Sequence, residues 1–269
     1  WNMLATMAYV ARTSGTDLLI NAFFGTKVNG AFAISKTVNT YVADFSTKFD
    51  AASAPQIIQA YAAGDKPRYT YLCNKLGRFT ILLFELICFP ILIELEFLLH
   101  VWLGQVPEGA VEFTFFNIII GGVSVTCGGI YNLVNASGRI KWFKIVMSAL
   151  LLLCLPLGYL LYSLGYPPIS LLLLFIIADA LARVIKLILL RRLLGFDSWQ
   201  YAREAYVRPG IIALIMSVVI WAYTELGITA PLHRLCGIAL CLLLTAALVW
   251  TIGMKHSERR KIVQIISKK

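Results

Sequence analysis

Long apolar runs recur along this chain and alternate with short polar connections. Runs of this kind match the ~20 residues that an α-helix needs to cross the hydrocarbon core of a bilayer. The connections contain glycine and proline, which end helices and form turns. The pattern predicts an all-α protein, a polytopic bundle of about eight transmembrane helices at residues 3–24, 33–56, 79–101, 113–135, 143–163, 169–190, 210–227 and 234–254.

Lysine and arginine are distributed unevenly between alternate connections. One set of connections, together with the C-terminal tail, holds 17 of these residues, whereas the opposite set holds only Lys27 and Arg234. Positive charge is retained on the cytoplasmic side of short loops. We therefore expect the first helix to run from the cytoplasm outward and the C-terminus to be cytoplasmic.

The composition supports a membrane protein. Hydrophobic residues make up 59% of the chain and charged residues 14%, whereas an ordinary soluble domain carries roughly a quarter charged residues. The six cysteines lack CxxC spacing and the three histidines are scattered, so we expect buried thiols and no metal site. We also expect no cofactor, no catalytic residues and no nucleic-acid partner.

Two polar segments near the C-terminus depart from the apolar pattern. Residues 197–208 (DSWQYAREAYVR) begin with a helix cap at Asp197 or Ser198, and Pro209 is suited to begin the next helix. Trp199, Tyr201 and Tyr206 are suited to anchor at the membrane interface, so the segment predicts a helix on the membrane surface, with a solvated loop as the alternative. The basic tail at 255–269 is expected either to contact anionic lipid or to fray.

Ionisable residues at membrane depth are the candidate functional positions. Each costs about 2.5–3.5 kcal/mol on insertion scales, so such groups usually face a bundle interior or a water-filled cavity. Helical spacing allows Asp44 to pair with Lys48, and Asp179 with Arg183. For any single residue the alternative is an ion pair that only joins helices, or a lysine such as Lys36 that reaches the interface. The whole set favours a hydrated cavity and comprises Arg12, Asp17, Asp44, Lys48, Asp50, Glu85, Asp179 and Arg183.

The mixture of signs suits an anionic ligand. Arg12 lies near the middle of the first predicted helix, and an arginine there can hold a phosphate or pyrophosphate through two parallel hydrogen bonds. Lys48 would act as a compact charge. Nearby carboxylates would hold these cations in place and exchange protons or sodium ions. Polar residues suited to sugar hydroxyls, although such residues more often only join helices, are Asn21, Thr37, Asn39, Thr40 and Asn117.

Several short motifs resemble a known transporter family. They are FFGTKVNGAFAISKTVN at 23–39, YAAGD at 61–65, VWLGQVPE at 101–108 and NASGRIKWFK at 135–144. In these stretches the chain resembles polysaccharide transporters and O-antigen flippases of the multidrug/oligosaccharidyl-lipid/polysaccharide exporter superfamily.

This resemblance implies an architecture of two six-helix lobes around a central cavity. Residues 1–194 would form the second lobe, and residues 195–269 an interfacial segment, two accessory transmembrane helices and a basic cytoplasmic tail. The first lobe would precede Trp1 in the same chain. The resemblance also implies that the protein moves an undecaprenyl-pyrophosphate-linked oligosaccharide across the bacterial cytoplasmic membrane by alternating access. Its partners would be this substrate and membrane lipids.

The resemblance further implies roles for the charged residues. Arg12 would bind the substrate, followed by Lys48 and Arg183, and the carboxylates would line the cavity or couple transport to ions. A cation-coupled multidrug exporter of the same superfamily is an alternative. A membrane glycosyltransferase or polysaccharide polymerase is another, but its catalytic residues would need a large outer loop. The outward connections are too short for one, so we expect a transporter and not an enzyme.

Overall fold

A computed structural model describes residues 1–227 and 230–266 of the chain; Lys268 and Lys269 of the predicted tail lie outside these ranges. Of the described residues, 87% are helical and none is in a strand. A π-helical turn, Val249–Gly253, follows the ninth helix. The helices are α1 (Asn2–Ala62), α2 (Lys66–Leu92), α3 (Leu95–Leu103), α4 (Ala110–Val125), α5 (Ile130–Ala136), α6 (Ile140–Ser163), α7 (Ser170–Leu194), α8 (Ser198–Thr224), α9 (Pro231–Leu248) and α10 (His256–Ile266).

Helix α1 folds back on itself at Gly25, where the backbone has φ 82° and ψ 178°. The Nζ of Lys36 lies 2.5 Å from Oδ1 of Asp17. In an uninterrupted helix these two positions would lie ~28 Å apart along the axis. The first arm of α1, residues 2–24, therefore packs beside the second arm, residues 26–62. The two arms correspond to the first two predicted transmembrane helices.

Within the described ranges, three helical stretches are long and apolar enough to cross a membrane: Ile140–Ser163, Ser198–Thr224 and Pro231–Gly253. Helices α4 and α5 make a fourth if the pair, bent by 45°, is counted as one span. The protein is thus an all-helical chain with segments suited to a bilayer. The count of about eight spans stays a prediction, because α1 carries seven charged residues and α2 begins with a cationic stretch.

The structure corrects two helix boundaries. Helix α2 begins at Lys66, where the Asp65 carboxylate accepts a hydrogen bond from the backbone N–H of Arg68, so the predicted loop before residue 79 is helical. Helix α8 passes through Pro209 without ending. A proline removes one backbone hydrogen bond, but a helix packed among neighbours tolerates the loss. The predicted surface helix is therefore the first part of α8, and Asp197 caps it.

Polar side chains stabilise the break between α4 and α5. The hydroxyl of Tyr201 donates to the carbonyls of Thr126, at 2.9 Å, and Gly128, at 3.2 Å. The Asp50 carboxylate accepts from the N–H of Gly129 at 2.6 Å. Broken helices expose backbone groups that need partners where water is absent. Tyr201, predicted to anchor at the interface, is instead buried in the core, and Asp50 holds this break.

Connections that were predicted to share one side of the membrane meet at one end of the bundle. Arg139 donates to the carbonyl of Leu193 at 2.7 Å, and Lys255 pairs with Glu204 at 2.7 Å. We call the end where Arg139 and Lys255 make these contacts the basic end. At the other end, Glu94 accepts a hydrogen bond from Tyr223 at 2.7 Å. The alternation of charge along the chain thus has a counterpart in the packing.

A buried ion pair joins α10 to the basic end. Arg78 is 1% exposed and Glu258 is 7% exposed, and the Nη2 of Arg78 donates to the Glu258 carboxylate. The same carboxylate accepts from the N–H of Lys255 at 2.8 Å. The start of the predicted basic tail therefore packs against α2.

We expect Glu258→Ala to lower the free energy of unfolding by about 3–5 kcal/mol, because it leaves Arg78 as an unpaired buried charge. The matched control is Asp44→Ala, which breaks the exposed pair with Lys48 and should change this energy by less than about 1 kcal/mol. Titration of the protein in mixed micelles with a denaturing detergent, followed by circular dichroism, measures both. Equal losses in the two variants would contradict the buried pair.

Tyr201→Phe tests the helix break. Two buried carbonyls lose their donor, so we expect the free energy of unfolding to fall by about 1–3 kcal/mol. Tyr41, 73% exposed, provides the control Tyr41→Phe, for which no measurable change is expected. A Tyr201→Phe variant as stable as this control would show that the hydroxyl does not stabilise the break.

Candidate functional site

A cavity of about 420 Å³ lies between the two arms of α1 and helices α4, α6 and α7. We call it the central cavity. Aromatic and aliphatic groups, among them Phe32, Ile120, Leu151 and Phe175, form part of its wall. Its polar and charged lining residues are Arg12, Thr13, Thr16, Lys36, Asn39, Thr40, Asn117, Ser124, Asp179 and Arg183.

Arg12 and Asp179 form the most buried charged contact of the central cavity. Two parallel hydrogen bonds of 2.8 and 3.0 Å join the guanidinium to the carboxylate, and the residues are 9% and 7% exposed. The Arg12 Cζ lies 4.0 Å from the centroid of the Phe175 ring. This two-pronged geometry fixes the orientation of the guanidinium plane.

The pairing of Asp179 differs from the sequence prediction. Arg183 lies one turn away on α7, yet Asp179 binds Arg12, which is 167 residues distant in the chain. Arg183 donates its Nε–H to the carbonyl of Val123 at 3.3 Å. Burial explains the choice, because Arg12 would otherwise be a desolvated charge without a partner. Among the described residues no carboxylate lies within ion-pair distance of Arg183.

Lys36 lines the central cavity, although its place in the sequence predicts only a lysine that reaches the interface. It pairs with Asp17 at 2.5 Å, and its Nζ lies 4.9 Å from the centroid of the Phe32 ring. Asp17 and Lys36 lie at similar distances in sequence from Gly25, on either side of it. That symmetry about a turn was the signal that could have identified the pair.

Amides and hydroxyls complete the polar wall. Asn117 donates to the hydroxyl of Ser35 at 2.7 Å. Within the described part of the chain, the buried Oδ1 of Asn39 has no hydrogen-bond partner. A buried acceptor without a donor is destabilising, and this oxygen packs against Gly121.

Other predicted site residues lie outside the lining of the central cavity. Asp44 and Lys48 form the predicted i, i+4 pair at 2.5 Å, but the Lys48 side chain is 75% exposed. Asp50 holds the break between α4 and α5. Glu85 is buried in α2, and its Oε2 has no partner among the described residues. The structure thus brings together Arg12, Asp179 and Arg183, with Asp17 attached through Lys36.

The charge of the central cavity is positive. Among the described residues that line it, Arg12, Lys36 and Arg183 are cationic, and Asp179 is acidic. Asp17, at the edge of the cavity, pairs with Lys36, and Asp179 pairs with Arg12. Of these three cations, Arg183 therefore has no ion-pair partner among the described residues. Guanidinium and ammonium groups in a partly apolar cavity bind phosphate groups well.

The fold and the site define an all-helical protein suited to a membrane, with a cationic internal cavity. Comparison of the chain with protein-family models, with curated protein sequences and with solved structures found no match.

A double-mutant cycle tests the pair of Arg12 and Asp179. Each single change to alanine leaves one buried charge unpaired, so we expect each to lower the free energy of unfolding by about 3–5 kcal/mol. The double variant should lose clearly less than the sum of the two, because neither charge remains. Unfolding in mixed micelles measures the coupling, and purely additive losses would contradict the ion pair.

Proposed function

We propose that this protein exports lipid-linked oligosaccharide, moving an undecaprenyl-pyrophosphate-linked oligosaccharide across the bacterial cytoplasmic membrane by alternating access. The observation that carries the proposal is the cationic central cavity between α1, α4 and α7, with Arg12, Lys36 and Arg183 in its wall. The resemblance of the sequence motifs to polysaccharide transporters agrees with it.

The balance of charges favours an anionic substrate. A pyrophosphate group carries several negative charges and accepts hydrogen bonds on every outer oxygen. Arg183 has no carboxylate partner among the residues that the structure describes, so it is available to a phosphate oxygen. Arg12 and Lys36 offer charges that Asp179 and Asp17 now hold. Export of a cationic drug would favour an acidic cavity, so the rival multidrug exporter fits this lining less well.

The polar wall suits sugar hydroxyls. The hydroxyls of Thr13 and Thr16 already donate to backbone carbonyls of α1, which leaves their oxygens as acceptors. The hydroxyl of Thr40, which also lines the central cavity, donates to the carbonyl of Lys36 in the same way. Sugars are rich in hydroxyl donors, so these positions support an oligosaccharide beside the phosphate-binding cations.

The connections between helices support transport over glycosyl transfer. Those at residues 104–109 and 164–169 are six residues long, too short to hold a catalytic domain. We propose a topology of about eight membrane helices, with the basic end and the C-terminus in the cytoplasm. The meeting of Arg139 with the end of α7, and of Lys255 with the start of α8, supports that orientation.

The proposal predicts that Lys36→Gln weakens binding of a fluorescent polyprenyl-pyrophosphate disaccharide by roughly tenfold or more, because one charged hydrogen bond to phosphate is lost. Lys48→Gln is the matched control, since Lys48 lies on the same arm of α1 and also pairs with an aspartate, but is exposed. It should change the dissociation constant less than twofold. Titration of the purified protein in nanodiscs measures both.

Two further variants separate binding from folding. Lys36→Gln combined with Asp17→Asn also removes the carboxylate that Lys36→Gln leaves unpaired, and this double variant should still bind the disaccharide weakly.

Arg12→Lys keeps the charge of Arg12 but not the two parallel hydrogen bonds. The amount of surface glycan in cells with this variant should therefore fall between that of the parent protein and that of Arg12→Ala. Equal binding by the Lys36 and Lys48 variants would refute the cavity as the pyrophosphate site.

A further inference from the structure

A second cavity lies beside the central cavity, between the first arm of α1 and helices α5, α6 and α7. Its volume is about 190 Å³, and we call it the side pocket. It shares Leu151, Asp179 and Arg183 with the central cavity. Two further cations, Lys144 on α6 and Lys186 on α7, line the side pocket alone.

In the part of the chain that the structure describes, the three cations of the side pocket form no ion pair with a carboxylate. Lys144 has its Nζ 3.4 Å from the Tyr131 hydroxyl and 4.8 Å from the centroid of that ring. Arg183 binds the carbonyl of Val123. Lys186 makes no hydrogen bond or ion pair with any residue that the structure describes, although it is partly buried.

Both carboxylates nearest to these cations are engaged elsewhere. Asp179 lines the side pocket, but its two oxygens bind Arg12. Asp50 attracts Lys186 electrostatically, yet no ion pair forms, and its carboxylate binds the N–H of Gly129. No described carboxylate forms an ion pair with any of these three cations, so the side pocket carries a net positive charge.

The remaining wall of the side pocket is apolar. It includes Phe143, Met147, Leu150, Ala178 and Ala182. Like charges held together in such a wall repel one another and lose hydration, so an anion that binds all three relieves both costs. An apolar wall next to such an anion site also fits a hydrocarbon chain.

The side pocket reaches the protein surface. Tyr131 and Asn135, which line it, are both exposed. The basic end lies nearby, because Arg139 is in the connection after α5 and Lys141 is in the first turn of α6. If the charged group of a ligand binds beside Lys144, its hydrocarbon chain can extend along the outer face of α6 and α7.

We propose that the side pocket binds the phosphate group of a phosphorylated membrane lipid. Lys144, Arg183 and Lys186 contact the phosphate, and the first part of the lipid chain packs against Phe143 and Met147. This site goes beyond the proposed function, because it requires no transport and uses two lysines that do not line the central cavity.

The test is the affinity of the full chain, purified in detergent, for short-chain phosphatidic acid, with tryptophan fluorescence as the signal. We expect Lys144→Gln combined with Lys186→Gln to weaken binding at least roughly tenfold, because two charged hydrogen bonds are lost. The matched control combines Lys141→Gln with Arg191→Gln, two exposed cations on the same helices, and should change affinity less than twofold.

Stability gives a second readout. The Lys144 and Lys186 double variant removes mutually repelling charges, so its free energy of unfolding without lipid should equal or exceed that of the parent protein. Added phosphatidic acid should raise the melting temperature of the parent protein and not that of the variant. A variant that unfolds readily without lipid would show a purely structural role and overturn the proposal.

Inorganic phosphate distinguishes the source of the phosphate group. If it fails to displace phosphatidic acid at millimolar concentration, the apolar chain contributes to binding, as proposed. If it displaces the lipid at micromolar concentration, the pocket is a site for free phosphate and the lipid proposal is overturned. Equal affinities of the side-pocket variant and its control overturn it as well. Lys36→Gln should leave phosphatidic acid binding unchanged, so this test and that of the central cavity fail independently.

Discussion

Arg12 and Asp179 join the first arm of α1 to α7 through two hydrogen bonds in a partly apolar surrounding. Each charge is nearly fully buried, so neither is tolerable without the other. The pair therefore constrains how the two helices approach and which side of each faces the central cavity. The Phe175 ring beneath the guanidinium closes one side of the pair. The positions of Lys36 and Arg183 in the cavity wall depend on this packing.

The need of each buried polar group for a partner also explains the other polar contacts inside the bundle. Tyr201 and Asp50 supply partners to backbone groups that the break between α4 and α5 leaves free. Arg78 and Glu258 neutralise each other where α10 packs on α2. In each case a polar group far away in sequence provides what the local helix cannot. The bundle is thus held by a few long-range polar contacts within extensive apolar packing.

Among the described residues, three cations without an ion-pair partner line the two neighbouring cavities. Arg183 lies where the cavities meet, and Lys144 and Lys186 line the side pocket. Lys36 also lines the central cavity but pairs with Asp17. A membrane protein that keeps uncompensated cations beside apolar walls is suited to ligands that combine phosphate with hydrocarbon. Both proposals rest on that combination.

The sequence by itself determined the helical, membrane-suited character of the protein, because apolar runs and turn residues are local patterns. It also identified Arg12, Asp179 and Arg183 as candidates, since charge inside an apolar run is visible without a structure. It did not determine the partners. Asp179 binds Arg12 and not its neighbour Arg183, Lys36 lines the cavity, Lys48 does not, and α8 continues through Pro209. These partners and positions depend on tertiary packing, because the way the helices pack sets which side chains are buried and which distant residues come within reach.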